Sequence, residues 1–205
     1  MSMIESYHPL PGICIFASGA GTNTQMIIDH FRKRPLAKVA LIASNKPDAG
    51  VTLIAEKENI PLLIIEKEKF FRGNGYVDEL KRDKIEWIVL AGFLWKIPLP
   101  LIRAFPDRII NLHPALLPKF GGKGMYGLRV HEAVIAAGEN ESGISVHYVN
   151  EEYDRGKVIF QEKCPVDPKE SPESLARKIQ VLEHHYFPLV IEDLILSQAQ
   201  SHPDG

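Results

Sequence analysis

Five short apolar runs, at residues 13–17, 38–43, 61–65, 87–91 and 108–111, alternate with stretches whose apolar residues recur at helical spacing. Runs that are apolar on nearly every residue suit strands buried on both faces, as in a parallel sheet covered by helices. The helices are expected over 23–31, 51–58, 75–82, 99–104 and 130–137. Two later runs, 143–149 and 158–165, behave differently. Ser145-Val146-His147-Tyr148-Val149 alternates, and only the short region 150–157 separates it from the next run. That spacing predicts an antiparallel pair closing one edge. A last helix is expected over 172–196, with Ser171 as N-cap, Pro172 in the first helical position and Glu173 facing the positive helix end. Pro188 should kink or break it. The fold class is α/β: a doubly wound, Rossmann-like, mostly parallel sheet with an antiparallel edge. A single domain over residues 1–205 is expected, with loose ends at 1–10 and 198–205.

Composition narrows the function classes. The formal net charge of −2 gives no broad basic footprint for nucleic acid. Cys14 and Cys164 both sit in apolar runs, which reads as two buried thiols in a reducing cytoplasm rather than a disulfide or metal pair. The first ten residues lack the basic region and apolar core of a signal peptide. No apolar run approaches the ~20 residues of a membrane-spanning helix.

Residues 109–118, Ile-Ile-Asn-Leu-His-Pro-Ala-Leu-Leu-Pro, read as a strand that stops at a proline. Proline lacks the ladder N–H and restricts the residue before it, so Asn111 and His113 fall at the strand's carboxyl end. Two residues apart, their side chains point to one face. An amide able to donate to a developing oxyanion then stands beside an imidazole able to move a proton near neutral pH. Such a pair suits carbonyl chemistry and requires no nucleophilic side chain. The same residues also serve, in other proteins, as turn formers or hydrogen-bonded structural groups.

Three further segments carry signals of the same kind. The first strand runs into Ser18-Gly19-Ala20-Gly21-Thr22-Asn23, which opens a helix. A glycine turn there offers free backbone N–H groups to an anion. No Gly-Lys-Ser/Thr follows, and the dinucleotide fingerprint is incomplete because Thr24 replaces its third glycine. A single phosphate fits; so does a plain turn capped by Thr22 or Asn23. After the fourth strand come Gly92, Phe93, Leu94, Trp95, Lys96 and Ile97. Strand carboxyl ends collect ligands in doubly wound sheets, so these residues line a flat heterocycle or belong to the core. Tyr153-Asp154-Arg155-Gly156 places a carboxylate in the turn between the edge strands, as a site residue or an exposed turn former. His147 has no assigned role. His184 and His185 have no metal-ligand spacing, and no metal site is expected.

Taken in order, these motifs resemble the folate-dependent formyltransferases. The resemblance spans roughly residues 12–195 and rests on Ser18-Gly-x-Gly-Thr-Asn23, Ser44-Asn45-Lys46, Leu90-Ala-Gly-Phe93, Asn111-Leu-His-Pro-Ala-Leu-Leu-Pro118, Gly143-x-Ser-Val-His147, Asp154-x-Gly156, Gln180 and Glu183-His184. It implies transfer of a formyl group from 10-formyltetrahydrofolate, a co-substrate, to the amine of 5'-phosphoribosylglycinamide. It assigns Asn111, His113 and Asp154 to catalysis. Gly21, Thr22 and Asn23 would hold the acceptor's phosphate, with Gln180 and Glu183 near its ribose. Leu94, Trp95, Lys96, Ile97, Asn111 and Arg72 would border the folate. Asp154 would favour a charged His113, raising its pKa, or order a water that relays the amine's proton. This chain departs from its relatives at Trp95, where they often carry arginine, and in the longer segment 121–127. Partners are expected to be small-molecule substrates, without nucleic acid or membrane, for a cytoplasmic monomer or homodimer. Relatives that formylate a transfer RNA or hydrolyse the donor carry an extra domain, for which this length leaves no room. A non-catalytic folate- or nucleotide-binding module is the alternative from another class.

Overall fold

No residue of the first strand, β1 (Gly12–Phe16), reaches the surface, and its side chains divide by strict alternation. Ile13 and Ile15 enter one hydrophobic cluster, Cys14 and Phe16 another. Alternate side chains of a strand point to opposite faces, so this strand must be covered on both. In the computed structural model, which describes residues 10–201, it pairs with β2 (Lys38–Ser44) and β4 (Ile85–Leu90). With β3 (Leu62–Ile64), β5 (Ile109–His113), β6 (Glu141–Tyr148) and β7 (Val158–Pro165) they form a seven-stranded sheet ordered β3-β2-β1-β4-β5-β6-β7. The pairs from β3 to β5 are parallel, while β5·β6 and β6·β7 are antiparallel. The sheet and its antiparallel edge match the sequence expectation, and each of the seven expected runs is a strand.

Helices cover both faces. α1 (Thr22–Lys33), α2 (Gly50–Lys57), α6 (Leu128–Ala136) and α7 (Pro172–Ser201) contribute Ile27, Phe31, Val51, Val134, Leu175, Phe187 and Ile191 to one cluster. On the other face, α3 (Lys67–Arg72), α4 (Val77–Arg82) and α5 (Leu99–Ala104) contribute Phe70, Leu80 and Leu101. Sequence reasoning missed α3. It has six residues, opens on Lys-Glu-Lys and buries only Phe70, too little periodicity to register. The helix expected over 75–82 begins later, at Val77, because Gly75 and Tyr76 take left-handed conformations.

Pro188 does not end α7, which continues to Ser201. A proline inside a helix costs about 3 kcal/mol, but Phe187, Val190 and Ile191 around it are all buried against the sheet. Helical structure therefore extends past Gln198, where a loose end was expected; residues 1–9 and 202–205 lie outside the described residues. Ser171 caps the helix as expected, its Oγ accepting the Ser174 N–H at 3.2 Å. Cys14 and Cys164 are buried free thiols. Among the described residues no helix is long and apolar enough to cross a membrane.

The chain winds outward from β1 to β3, then returns to place β4 on the other side of β1. Loops leaving β1 and β4 thus diverge, opening a crevice at the strands' carboxyl ends. Ser18 ties this junction together: its hydroxyl donates to Asn45 Oδ1 at 2.6 Å and accepts the Leu94 N–H at 3.0 Å.

Candidate active site

A cavity of about 880 Å³ fills the crevice and reaches β5. Proline ends β5 at His113, as the sequence requires, and the antiparallel register sets Asn111 opposite His147 and His113 opposite Ser145. Directly opposed residues share a face, so two short alternating motifs from distant parts of the chain combine into one polar cluster. Ser145, fully buried, donates to the Ala115 carbonyl at 2.6 Å and accepts the Leu117 N–H at 2.9 Å. That clamp fixes the turn leaving the strand.

Asp154 completes the cluster. Its Oδ1 accepts from the Asn111 amide at 3.3 Å, and its Oδ2 accepts the Gly122 N–H at 2.9 Å. Asp154 holds φ 54°, a left-handed conformation more tolerable for Asp than for most residues. Close packing follows directly: a Cβ at Gly156 would sit 1.7 Å from the Tyr148 carbonyl oxygen, so only glycine lets the turn lie against β6. The Asn111 amide also donates to His147 Nε2 at 3.0 Å, while His147 Nδ1 donates to its neighbour's carbonyl, Tyr148 O, at 2.8 Å. The carbonyl can only accept, so His147 carries its hydrogen on Nδ1. Both amide hydrogens of Asn111 are then engaged, and the amide is held in one orientation.

His113 is similarly fixed. Its Nε2 donates to the Phe120 carbonyl at 2.8 Å, leaving Nδ1 as the nitrogen that faces Asp154 Oδ2 at 3.6 Å. Burial lowers the pKa of His113; Asp154 and the Phe120 carbonyl push it up, but less. This corrects the expectation that Asp154 would raise it overall. Desolvation disfavours the imidazolium more than one carboxylate favours it. Burial alone would raise Asp154, yet His147, His113 and the Gly122 N–H together hold it below the ordinary carboxylate range.

At the far end of the cavity, Gly21 opens α1 with φ 77°, and no side chain caps the helix. The capping alternative for Thr22 and Asn23 is thereby set aside, and the first N–H groups stay free to meet an anion. A Cβ on Gly21 would come within 2.8 Å of Ile54 Cδ1. α7 crosses this turn: Asn23 Nδ2 donates to Glu183 Oε2 at 2.8 Å and Gln180 Nε2 to Thr22 Oγ1 at 3.3 Å. Burial raises the Glu183 pKa, partly opposed by Asn23. Gly21, Thr22, Asn23, Gln180 and Glu183 therefore lie together, with Lys46 and Arg177 on the same wall.

The expected folate residues divide. Leu94 and Asn111 border the cavity, joined by Gly92 and Phe93. Trp95 packs beside it in an aromatic group with Phe70, Phe71 and Phe93, its ring centre 5.5 Å from that of Phe71. Lys96 stands at the rim, 5.9 Å from the centre of the Tyr153 ring. Ile97 is buried in the core beneath α5. Arg72 lies outside the cavity wall, exposed on α3 and paired with Glu68 at 3.1 Å. Among the described residues, no group of His, Cys, Asp and Glu is arranged to hold a metal.

Sequence reasoning left His147, Ser145 and Ser18 without roles. The signal for the first two was present, since Ser145-x-His147 repeats the spacing of Asn111-x-His113; only the register shows that the pairs face each other.

Comparison with known proteins bears on this geometry. The sequence profile of the formyl transferase family matches residues 12–191. Chloroplastic phosphoribosylglycinamide formyltransferase of Arabidopsis thaliana is 37% identical over 199 residues, covering 94% of this chain and 68% of the plant protein. Phosphoribosylglycinamide formyltransferase of Haemophilus influenzae is 35% identical over 185 residues, covering 88% of this chain and 85% of that protein. Glycinamide ribonucleotide transformylase 1 from Geobacillus kaustophilus is a solved structure 36% identical to this chain. It superposes with a TM-score of 0.82 over 91% of this chain and 100% of that one.

Proposed function

Because this chain belongs to the formyl transferase family, we propose that it moves the formyl group of 10-formyltetrahydrofolate to the amine of 5'-phosphoribosylglycinamide. The product is formylglycinamide ribonucleotide, an intermediate of de novo purine synthesis. One observation carries the reading: a cluster of Asn111, His113 and Asp154 shares a single cavity with an uncapped glycine turn at a helix N-terminus. Carbonyl chemistry and phosphate recognition are thereby set in one space.

The acceptor amine is itself the nucleophile, so no serine or cysteine is called for. Its attack on the formyl carbon places negative charge on the formyl oxygen. That oxygen replaces the longer of the two Asn111 contacts, the one to Asp154 at 3.3 Å, and takes the amide hydrogen. His113 is held uncharged by burial before reaction. Developing negative charge favours its protonation, and Asp154 beside Nδ1 stabilises the imidazolium as a proton moves toward departing N10. The phosphate meets the backbone N–H groups of Gly21, Thr22 and Asn23. Gln180 and Glu183 face the ribose. Leu94, Phe93 and Asn111 border the folate, with Trp95 and Lys96 at its rim. The work is cytoplasmic, carried out by a monomer or homodimer on small-molecule substrates.

Purified protein supplied with both substrates should release tetrahydrofolate and formylglycinamide ribonucleotide in equal amounts, and a chelator should leave the rate unchanged. An acceptor lacking the phosphate should react poorly. Donor consumed without acceptor would make the chain a hydrolase. Donor bound but never consumed would make it a binding module.

A further inference from the structure

His131 stands out among the polar residues of the cavity. It is 4% exposed on α6, borders the cavity, and its Nδ1 is sealed in protein without a hydrogen-bond partner. An unpaired buried polar atom destabilises a fold. Val130 and Val134 on the same helix pack without that cost, so packing alone gives no reason for an imidazole here. With Nδ1 sealed, Nε2 is the nitrogen open to a ligand.

The inference rests on the formyl-transfer reading, in which protons must be conserved. When the amine bonds to the formyl carbon, its nitrogen becomes a cationic ammonium and the carbonyl electrons move to oxygen. The carbonyl re-forms only as the carbon–N10 bond breaks and N10 receives a proton. One proton leaves the amine nitrogen and one arrives at N10. His113, tied through Nε2 to Phe120 and facing Asp154 through Nδ1, serves the second of these. Asp154, or a water it orders, is a poor acceptor for the first, because its neighbours hold it below the ordinary carboxylate range.

We propose that His131 is a second proton acceptor of the reaction, taking the proton of the newly formed ammonium at Nε2, directly or through one bridging water. His131 becomes an imidazolium as the ammonium loses its proton, then passes that proton through the cavity to the uncharged His113. His113 delivers it to departing N10, so both histidines end the turnover uncharged. Burial, and then the like charge of His113, hold His131 below the ordinary histidine range, so it is uncharged near neutral pH. The other titratable or charged groups around the cavity are Lys46 after β2, His113 on β5, Lys123 and Tyr126 before α6, Tyr153 and Asp154 between β6 and β7, and Arg177 and Glu183 on α7. Glu132 follows His131 on its own helix.

Turnover of His131→Ala and His131→Asn, measured with both substrates saturating, tests this. Each is expected to fall by about 10²-fold, the lower range for a lost proton acceptor. Added imidazole should restore the alanine variant in proportion to its concentration at pH 8, where imidazole is the free base, and should fail at pH 5. Donor-analogue affinity should remain within about threefold, which separates lost chemistry from lost folding. Overturning results are an asparagine variant with full turnover, or an alanine variant that binds donor normally yet ignores imidazole. If the unaltered protein does not formylate the acceptor, the formyl-transfer reading itself fails. An active unaltered protein with an undiminished variant removes only the role of His131.

Discussion

The Asn111 amide nitrogen lies 3.0 Å from His147 Nε2, across the antiparallel junction of β5 and β6. This contact orients the amide, because His147 is itself anchored through Nδ1 to the Tyr148 carbonyl. Replacing His147 by Phe keeps a flat ring and removes the acceptor. Turnover is expected to fall by about 10²-fold, the scale of a misplaced catalytic group, with both KM values nearly unchanged. A fall expressed in the acceptor's KM alone would show that His147 shapes binding instead.

Asn23 links the glycine turn to Glu183 on α7. Asn23→Asp sets a second carboxylate beside Glu183 and beside the bound phosphate. Acceptor affinity is expected to drop at least tenfold more than donor affinity in isothermal titration, because like charges at short range repel. Equal losses for the two ligands would remove the phosphate from this turn.

Gly21 is required by conformation as well as by space. Its φ of 77° disfavours any side chain, and a Cβ would press on Ile54 and Val51. Gly21→Ala is expected to cost about 1–2 kcal/mol from the left-handed conformation alone, with the clash adding to it. Chemical denaturation gives the value directly; a loss below about 0.5 kcal/mol would mean that the turn relaxes freely.

The sheet was legible because burial on both faces leaves a continuous apolar imprint, as in Ile13–Cys14–Ile15–Phe16. Asn111 and His113 were legible because proline marks a strand end at which side-chain direction is known. α3 left no such imprint, with one buried side chain in six residues. Pro188 misled because local helix cost is outweighed by the burial of Phe187 and Ile191, a tertiary fact. The lowered pKa of His113 was equally hidden: the charge of Asp154 is visible in sequence, whereas the depth of burial that outweighs it is not.

Stability should depend on pH through that same histidine. Burial keeps the folded-state pKa of His113 below the ordinary value of 6.5. Below that value the unfolded chain takes up a proton that the folded chain does not, so stability present above about pH 6.5 declines as pH falls. Tm is expected to be lower at pH 5.5 than at pH 7.5, and His113→Asn should lose part of the difference. Identical differences in the two proteins would assign the effect to other groups, His131 first among them.

Asp154→Asn examines the cluster most directly, since it preserves shape while removing the charge that faces His113 Nδ1 at 3.6 Å. The decisive quantity is turnover with both substrates saturating, accompanied by their binding constants. Turnover is expected to fall by about 10²–10⁴, with both substrates still bound. Turnover within about threefold of the unaltered protein, well under 1 kcal/mol of barrier, would leave Asp154 a turn residue and contradict the catalytic assignment.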